Sequence, residues 1–177
     1  MTHSSTSSFS TAADFSYGAG NGSADPVYDM ARLRLSVSVF ADRARLRDEM
    51  SEDAQGAGFR VAEAGGLDRL LAEEGRALGD VVLLDCPQID GETMAGLARL
   101  DMRAARGGAQ LVVSTSVDAL DEVFGCLDQS APQILVAPSR AERLIALGQV
   151  MTRMPQRRVR ELSEEDRLVL LRLTEQV

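Results

Sequence analysis

The chain has no lysine and no tryptophan, and its one histidine, His3, stands in the leading segment. Apart from His3, every basic side chain is an arginine. Imidazole acid–base catalysis and histidine metal clusters are therefore excluded from the body of the chain. The two cysteines, Cys86 and Cys126, are too few and too far apart for a zinc-site spacing and read as buried thiols of a reducing cytoplasm. Aromatic residues make up only 4% of the 177 residues, so a core must be built from Leu, Val, Ile and Ala, as parallel-sheet proteins often do. The net charge of −8 argues against a phosphate-binding surface, and so against nucleic acid as a direct partner. No apolar run approaches the roughly 20 residues of a membrane span, and the N-terminus lacks the basic-then-apolar pattern of a secretory leader. A cytoplasmic protein without a membrane partner is expected.

What is present is an alternation. Residues 1–29 are rich in Ser, Thr, Ala and Gly and read as a disordered tail, because such a segment buries too little apolar surface to offset its ordering entropy. Residues 33–40 (LRLSVSVF) alternate with β-branched character, a strand pattern. Further strands are predicted at 59–62, 80–85, 109–113 and 133–136. Helices are predicted at 43–57, 67–78, 91–106, 117–127 and 139–154. The third closes on Gly107-Gly108 and the last opens on Ser139 as N-cap. Met94, Leu97, Ala98 and Met102 form the expected apolar stripe of the third helix. Leu120, Val123, Phe124 and Leu127 do so for the fourth, and Leu144, Ile145, Leu147 and Val150 for the fifth. Five strands alternating with five helices predict a doubly wound α/β domain over residues 30–155, with a parallel sheet in the flavodoxin-like order 2-1-3-4-5. Residues 156–177 hold Arg157, Arg158 and Arg160, then a helical pattern over 163–177 opened by Ser163 and Asp166, an extra C-terminal helix.

In such a sheet, ligand and reaction sites collect at the carboxyl ends of the strands. The third strand ends in Asp85-Cys86-Pro87-Gln88-Ile89-Asp90-Gly91, which resembles the motif of the bacterial response-regulator receiver family: an acceptor Asp, then a Pro-x-apolar-Asp-Gly turn into a helix. Val112-Val113-Ser114-Thr115-Ser116 is similar to that family's apolar fourth strand ending in a switch Thr or Ser. Ala137-Pro138 stands where the family carries Lys-Pro. The resemblance spans about residues 33–154. It implies Asp85 as the phospho-acceptor candidate, Thr115 and Ser116 as the switch candidates, and Asp42 with Asp85 as carboxylates for a weak Mg²⁺ site, with no other cofactor.

The departures are as informative. The family's acidic pair is reduced to Ala41-Asp42. The lysine position is Ala137, the switch aromatic is replaced by Ile134, and the loop after Asp85 is two residues short. Electrostatic clamping does most of the work of phosphoryl transfer. An acyl phosphate here is expected to lack a counter-charge, giving a degenerate pseudo-receiver that is not an enzyme. Simpler readings stand beside these: Asp85 as a cap of the next turn, Asp42 as the cap of the first helix, Thr115 and Ser116 as caps of the fourth. The resemblance implies regulation by protein–protein contact or dimerisation, in a transcription regulator. Leu144, Leu147, Leu170, Leu173 and Val177 are the dimerisation candidates. The expected partners are a second copy and a regulatory protein, with DNA reached only through a C-terminal continuation. The alternative is a phosphorylatable receiver using Asp85 and Mg²⁺. No glycine-rich phosphate loop follows the first strand, which disfavours a nucleotide enzyme.

Overall fold

The computed structural model describes residues 34–154; the expected tail (1–29), the linker and C-terminal helix (156–177) and with them Leu170, Leu173 and Val177 lie outside the described residues. The described part alternates strand and helix throughout. The strands are β1 (Ser36–Phe40), β2 (Arg60–Gly65), β3 (Val81–Cys86), β4 (Gln110–Thr115) and β5 (Gln133–Val136). The helices are α1 (Ala44–Gly56), α2 (Leu67–Ala72), α3 (Gly91–Gly107), α4 (Leu120–Cys126) and α5 (Arg140–Arg153). All pairings are parallel, and the order is β2-β1-β3-β4-β5. The flavodoxin-like topology predicted from the alternation is the one observed.

The central strands β1 and β3 expose neither face. All of β3 is buried, and so is β1, because helices cover both sides. Residues of opposite parity feed two cores. Val37, Val39, Val81, Leu83 and Val112 pack under α1 and α5 with Met50, Ala54, Ala146, Leu147 and Val150. Phe40, Val82, Leu84, Leu111 and Val113 pack under α2, α3 and α4 with Leu67, Leu97, Leu100 and Val123. The edge strand β2 instead alternates between exposed and half-buried residues.

Three helical stripes match the predicted ones only in part: Leu97, Val123, Leu127, Leu147 and Val150 are buried as expected, and other members are not. On α3 the buried residues are Gly96, Leu97, Leu100, Asp101 and Ala104, while Met94 and Met102 are exposed. On α4, Val123 is buried but Phe124 is 58% exposed. On α5, Ile145 is 60% exposed and Leu144 is half-buried. Leu147, a dimerisation candidate, is fully buried under the sheet. Its side chain serves the monomer core and is not available to a second copy. The helix predicted over 67–78 stops at Ala72. Glu73 leaves helical geometry and pairs with Arg76, and Gly75 has little helical propensity to carry the turn onward.

Capping follows local chemistry. Asp90 accepts from the Thr93 N–H at 2.7 Å and opens α3, and Gly108, at φ 70°, closes it. Ser139 opens α5 in a reciprocal capping box with Glu142. At Gly96 a Cβ would stand 2.9 Å from the Leu71 side chain, so glycine lets α3 approach the end of α2 closely.

Candidate functional site

The carboxyl ends of the strands form an open cleft of about 400 Å³. Arg43 from the β1–α1 loop, Asp85 and Pro87 from the end of β3, Ser114, Thr115 and Ser116 from the end of β4, and Ala137 and Pro138 after β5 all line it. Asp85, Thr115, Ser116 and the Ala137 position, expected together from the motif, are thus brought together. The register explains this: Asp85 pairs with Ser114 and Cys86 with Thr115, so the two strands end level.

Asp85 is nearly buried, its side chain 9% exposed, and its Oδ2 accepts from Arg43 Nη2 at 3.1 Å. The Arg43 side chain is 67% exposed and reaches in from the rim. This corrects the expectation that the rim lacks a counter-charge. A cation stands on Asp85; it comes from the loop after β1 and not from the position after β5. Ala137 holds that latter position with φ 41°, a left-handed geometry that costs a non-glycine residue about 1–2 kcal/mol, and its N–H donates to the Thr115 carbonyl at 2.8 Å.

Asp42 neither caps α1 nor lines the cleft. Its Oδ1 accepts from the Leu67 N–H at 2.8 Å, so it caps α2 across the rim. The first helix opens at Arg43 without any side-chain cap. Thr115 and Ser116 are engaged as well. Thr115 Oγ1 donates to the Cys86 carbonyl at 2.8 Å, tying β4 to β3. Ser116 Oγ donates to the Pro87 carbonyl at 2.8 Å and accepts from the Ala119 N–H at 3.2 Å, bracing the turn before α4. Ser114 differs from both. Its hydroxyl is buried, and it makes no hydrogen bond among the described residues.

The Mg²⁺ implied by the receiver resemblance does not fit these residues. A hard divalent cation needs several oxygens, commonly from carboxylates on one side of it. Here one Asp85 oxygen holds a guanidinium and one Asp42 oxygen holds a backbone N–H. No group of three or more His, Cys, Asp or Glu side chains among the described residues is arranged to hold a metal ion.

Behind the cleft lies a second carboxylate–arginine site. Asp53 on α1 is 1% exposed. It receives Arg140 Nε at 2.7 Å on Oδ1 and both Nε and Nη2 of Arg143 at 2.9 Å on Oδ2. Arg143, itself buried, also donates to the Pro138 carbonyl at 3.3 Å, locking α5 to the loop after β5. Sequence reading passed over Arg43, Arg143 and Asp53. A signal existed for the last two: Arg143 lies four residues before Leu147, on the apolar face of α5, and Asp53 lies three after Met50 on that of α1. A lone charge on each of two facing stripes marks a buried pair.

Cys86 is a thiol under the rim. Burial pushes its pKa up to about 11, and the charges of Asp85 and Asp42 push in the same direction. Cys126 is raised by burial and by Glu122. Neither is poised as a nucleophile.

No family model matches the chain, and no curated protein is similar to it in sequence. Solved structures are similar in fold. The signal receiver domain of a protein described as a Luxo repressor, from Vibrio parahaemolyticus, aligns at TM-score 0.58 and 15% identity, over 74% of this chain and 100% of that one. The receiver domain of Francisella response regulator 1452 aligns at 0.52 and 18%, over 68% and 99%. A protein described as a pilus assembly protein, from Burkholderia thailandensis, aligns at 0.53 and 15%, over 67% and 98%. Strand order, parallel pairing and these alignments agree: the described part of this chain has the fold of response-regulator receiver domains.

Proposed function

We propose that the chain is a receiver-like regulatory module that acts by contact with other proteins, without phosphoryl chemistry at Asp85, and that it is not an enzyme. One observation carries this reading: the 3.1 Å ion pair between Arg43 and Asp85. In the resembled family the acceptor carboxylate works beside a metal ion and a lysine. Here the oxygen that would meet the metal is held by a guanidinium. The position of the lysine is Ala137, and the hydroxyl of Thr115 is held by the Cys86 carbonyl. These three features support a rim that is not organised for phosphoryl transfer.

A regulator of this kind needs a contact face. Val136 on the edge strand β5 and Ile145 on α5 are exposed apolar residues on neighbouring elements, and they support homodimerisation there in place of Leu147. Transcription control and a cytoplasmic location belong to the same proposal. No helix among the described residues is long and apolar enough to cross a membrane. DNA contact would need chain beyond the described residues.

Titration with beryllofluoride and Mg²⁺, followed by amide NMR, tests the reading. No saturable shift at Asp85, Ser114 or Thr115 is expected. Saturable shifts there would favour the second reading, a phosphorylatable receiver, which the level ends of β3 and β4 support. Light scattering of the full chain reads the dimer: a concentration-dependent rise in mass is expected, and a monomer at high concentration removes that part.

A further inference from the structure

The same cleft has properties that neither a phosphorylation site nor a plain contact surface needs. Its volume of about 400 Å³ falls in the range of small-molecule sites, roughly 300–1,000 Å³. It lies at the carboxyl ends of the strands of an open parallel sheet, near the point where the strand order reverses between β1 and β3. Three details of its lining define what would fit.

The first is charge. Two guanidiniums, Arg43 and Arg143, and one carboxylate, Asp85, line the cleft, so its lining carries one formal positive charge in a chain of net charge −8. Arg143 is spent on Asp53 and the Pro138 carbonyl. Arg43 is not: among the described residues its guanidinium makes a single hydrogen bond, through Nη2, while a guanidinium has five N–H donors. Its mostly exposed side chain can turn toward a second carboxylate without breaking the fold.

The second detail is the Ser114 hydroxyl. The residue is 3% exposed, lines the cleft, and pairs in register with Asp85, so its side chain leaves the sheet on the Asp85 face. Its oxygen has no partner among the described residues, unlike the hydroxyls of Thr115 and Ser116, which follow it in the motif. A buried hydroxyl left unpaired costs about 1–3 kcal/mol, which a ligand acceptor would recover. The third detail is apolar wall: Leu46, Pro87 and Pro138 face the same space.

We propose that this cleft binds a small organic carboxylate with a single negative charge and an apolar body. The carboxylate pairs with Arg43, a polar atom of the ligand accepts from Ser114, and the body lies along Leu46, Pro87 and Pro138. A phosphate dianion fits less well, because Asp85 stays in the cleft and repels a second negative charge, while the apolar walls offer phosphate nothing. The inference rests on the reading that Asp85 is not phosphorylated. It makes ligand binding the event that replaces phosphorylation, since a ligand that draws Arg43 off Asp85 acts on the ends of β3 and β4.

Amide NMR titrations of the full chain with benzoate, hexanoate and inorganic phosphate, in Mg²⁺-free buffer, test it. Benzoate or hexanoate is expected to give saturable shifts at Arg43, Ser114 and Thr115, with phosphate weaker by about tenfold or more. Arg43→Gln should weaken carboxylate binding by about tenfold or more, the usual scale for one charge-assisted hydrogen bond. Ser114→Ala should weaken it several-fold by the same principle, with the thermal midpoint retained. The proposal is overturned if neither carboxylate saturates, if phosphate binds as tightly as they do, or if Arg43→Gln leaves the affinity unchanged. Should Ser114→Ala unfold the chain, the exposed Arg43 variant still decides. Phosphoryl transfer to Asp85 would overturn the reading beneath the proposal and is measured separately, so the two failures are distinguishable.

Discussion

Among the described residues, two buried carboxylates lie on the side of the sheet that carries α1 and α5, and arginines answer both. Asp53 is closed off from water and gripped by Arg140 and Arg143 from α5. Asp85 sits at the open rim and is met by one guanidinium that is mostly in solvent. The chemistry is the same and the consequences differ, because burial decides what an ion pair does. A buried pair contributes little net stability when intact, yet breaking it strands a charge in a low dielectric. A rim pair is screened and worth little either way, so it is free to be exchanged. The Asp53 site fixes how α5 docks on α1. The Asp85 site is left open to competition.

Substitutions separate the two most sharply at Asp53. Asp53→Ala leaves two guanidiniums without their carboxylate, one of them buried, and should cost about 3–5 kcal/mol in urea unfolding. A cost below about 1 kcal/mol would place Asp53 in the same class as Asp85. Next comes Asp42→Ala. It removes the acceptor for the Leu67 N–H and should destabilise the chain by about 1 kcal/mol, with exchange of the α2 amides speeding up first. Arg43→Gln comes third. It should change unfolding free energy by less than about 1 kcal/mol, since the pair it breaks is exposed on the arginine side. A larger loss would mean that the rim pair is structural after all.

The smallest effect is in pH. Asp90, which accepts from the Thr93 backbone and side chain, and Glu142, which accepts from Ser139, both titrate below their ordinary values of 3.8 and 4.5. A depressed carboxylate contributes stability above its unfolded pKa and loses it as pH falls through the folded one. Stability should therefore decline slightly below the ordinary carboxylate range. Asp90→Asn and Glu142→Gln should flatten that decline.

Much of this was legible in the chain itself. The strands were, because Val, Ile and Leu runs bounded by Gly, Pro and Asp have few other uses, and β3 and β4 lie within a residue or two of their expected bounds. The sheet order followed from alternation and handedness. Helix faces were less legible. Met94, Met102, Phe124 and Ile145 match an apolar period as well as the truly buried residues do, and only packing chooses between neighbouring stripes. The site was half legible. Motif spacing found Asp85 and Thr115, whose positions the strand ends dictate. It missed Arg43, because the motif describes which residues a receiver normally has and not which side chain occupies the space when one is missing. It also misassigned Asp42, whose partner Leu67 lies 25 residues away and is reached only through the β2 crossover.

The central claim is that Asp85 is held by Arg43 and is not a phosphoryl acceptor. The most direct measurement is the intact mass of the full chain after incubation with acetyl phosphate and Mg²⁺, beside a known competent receiver treated alike. An unmodified mass is predicted. A mass increased by one phosphoryl group, and lost in Asp85→Asn, would contradict the account.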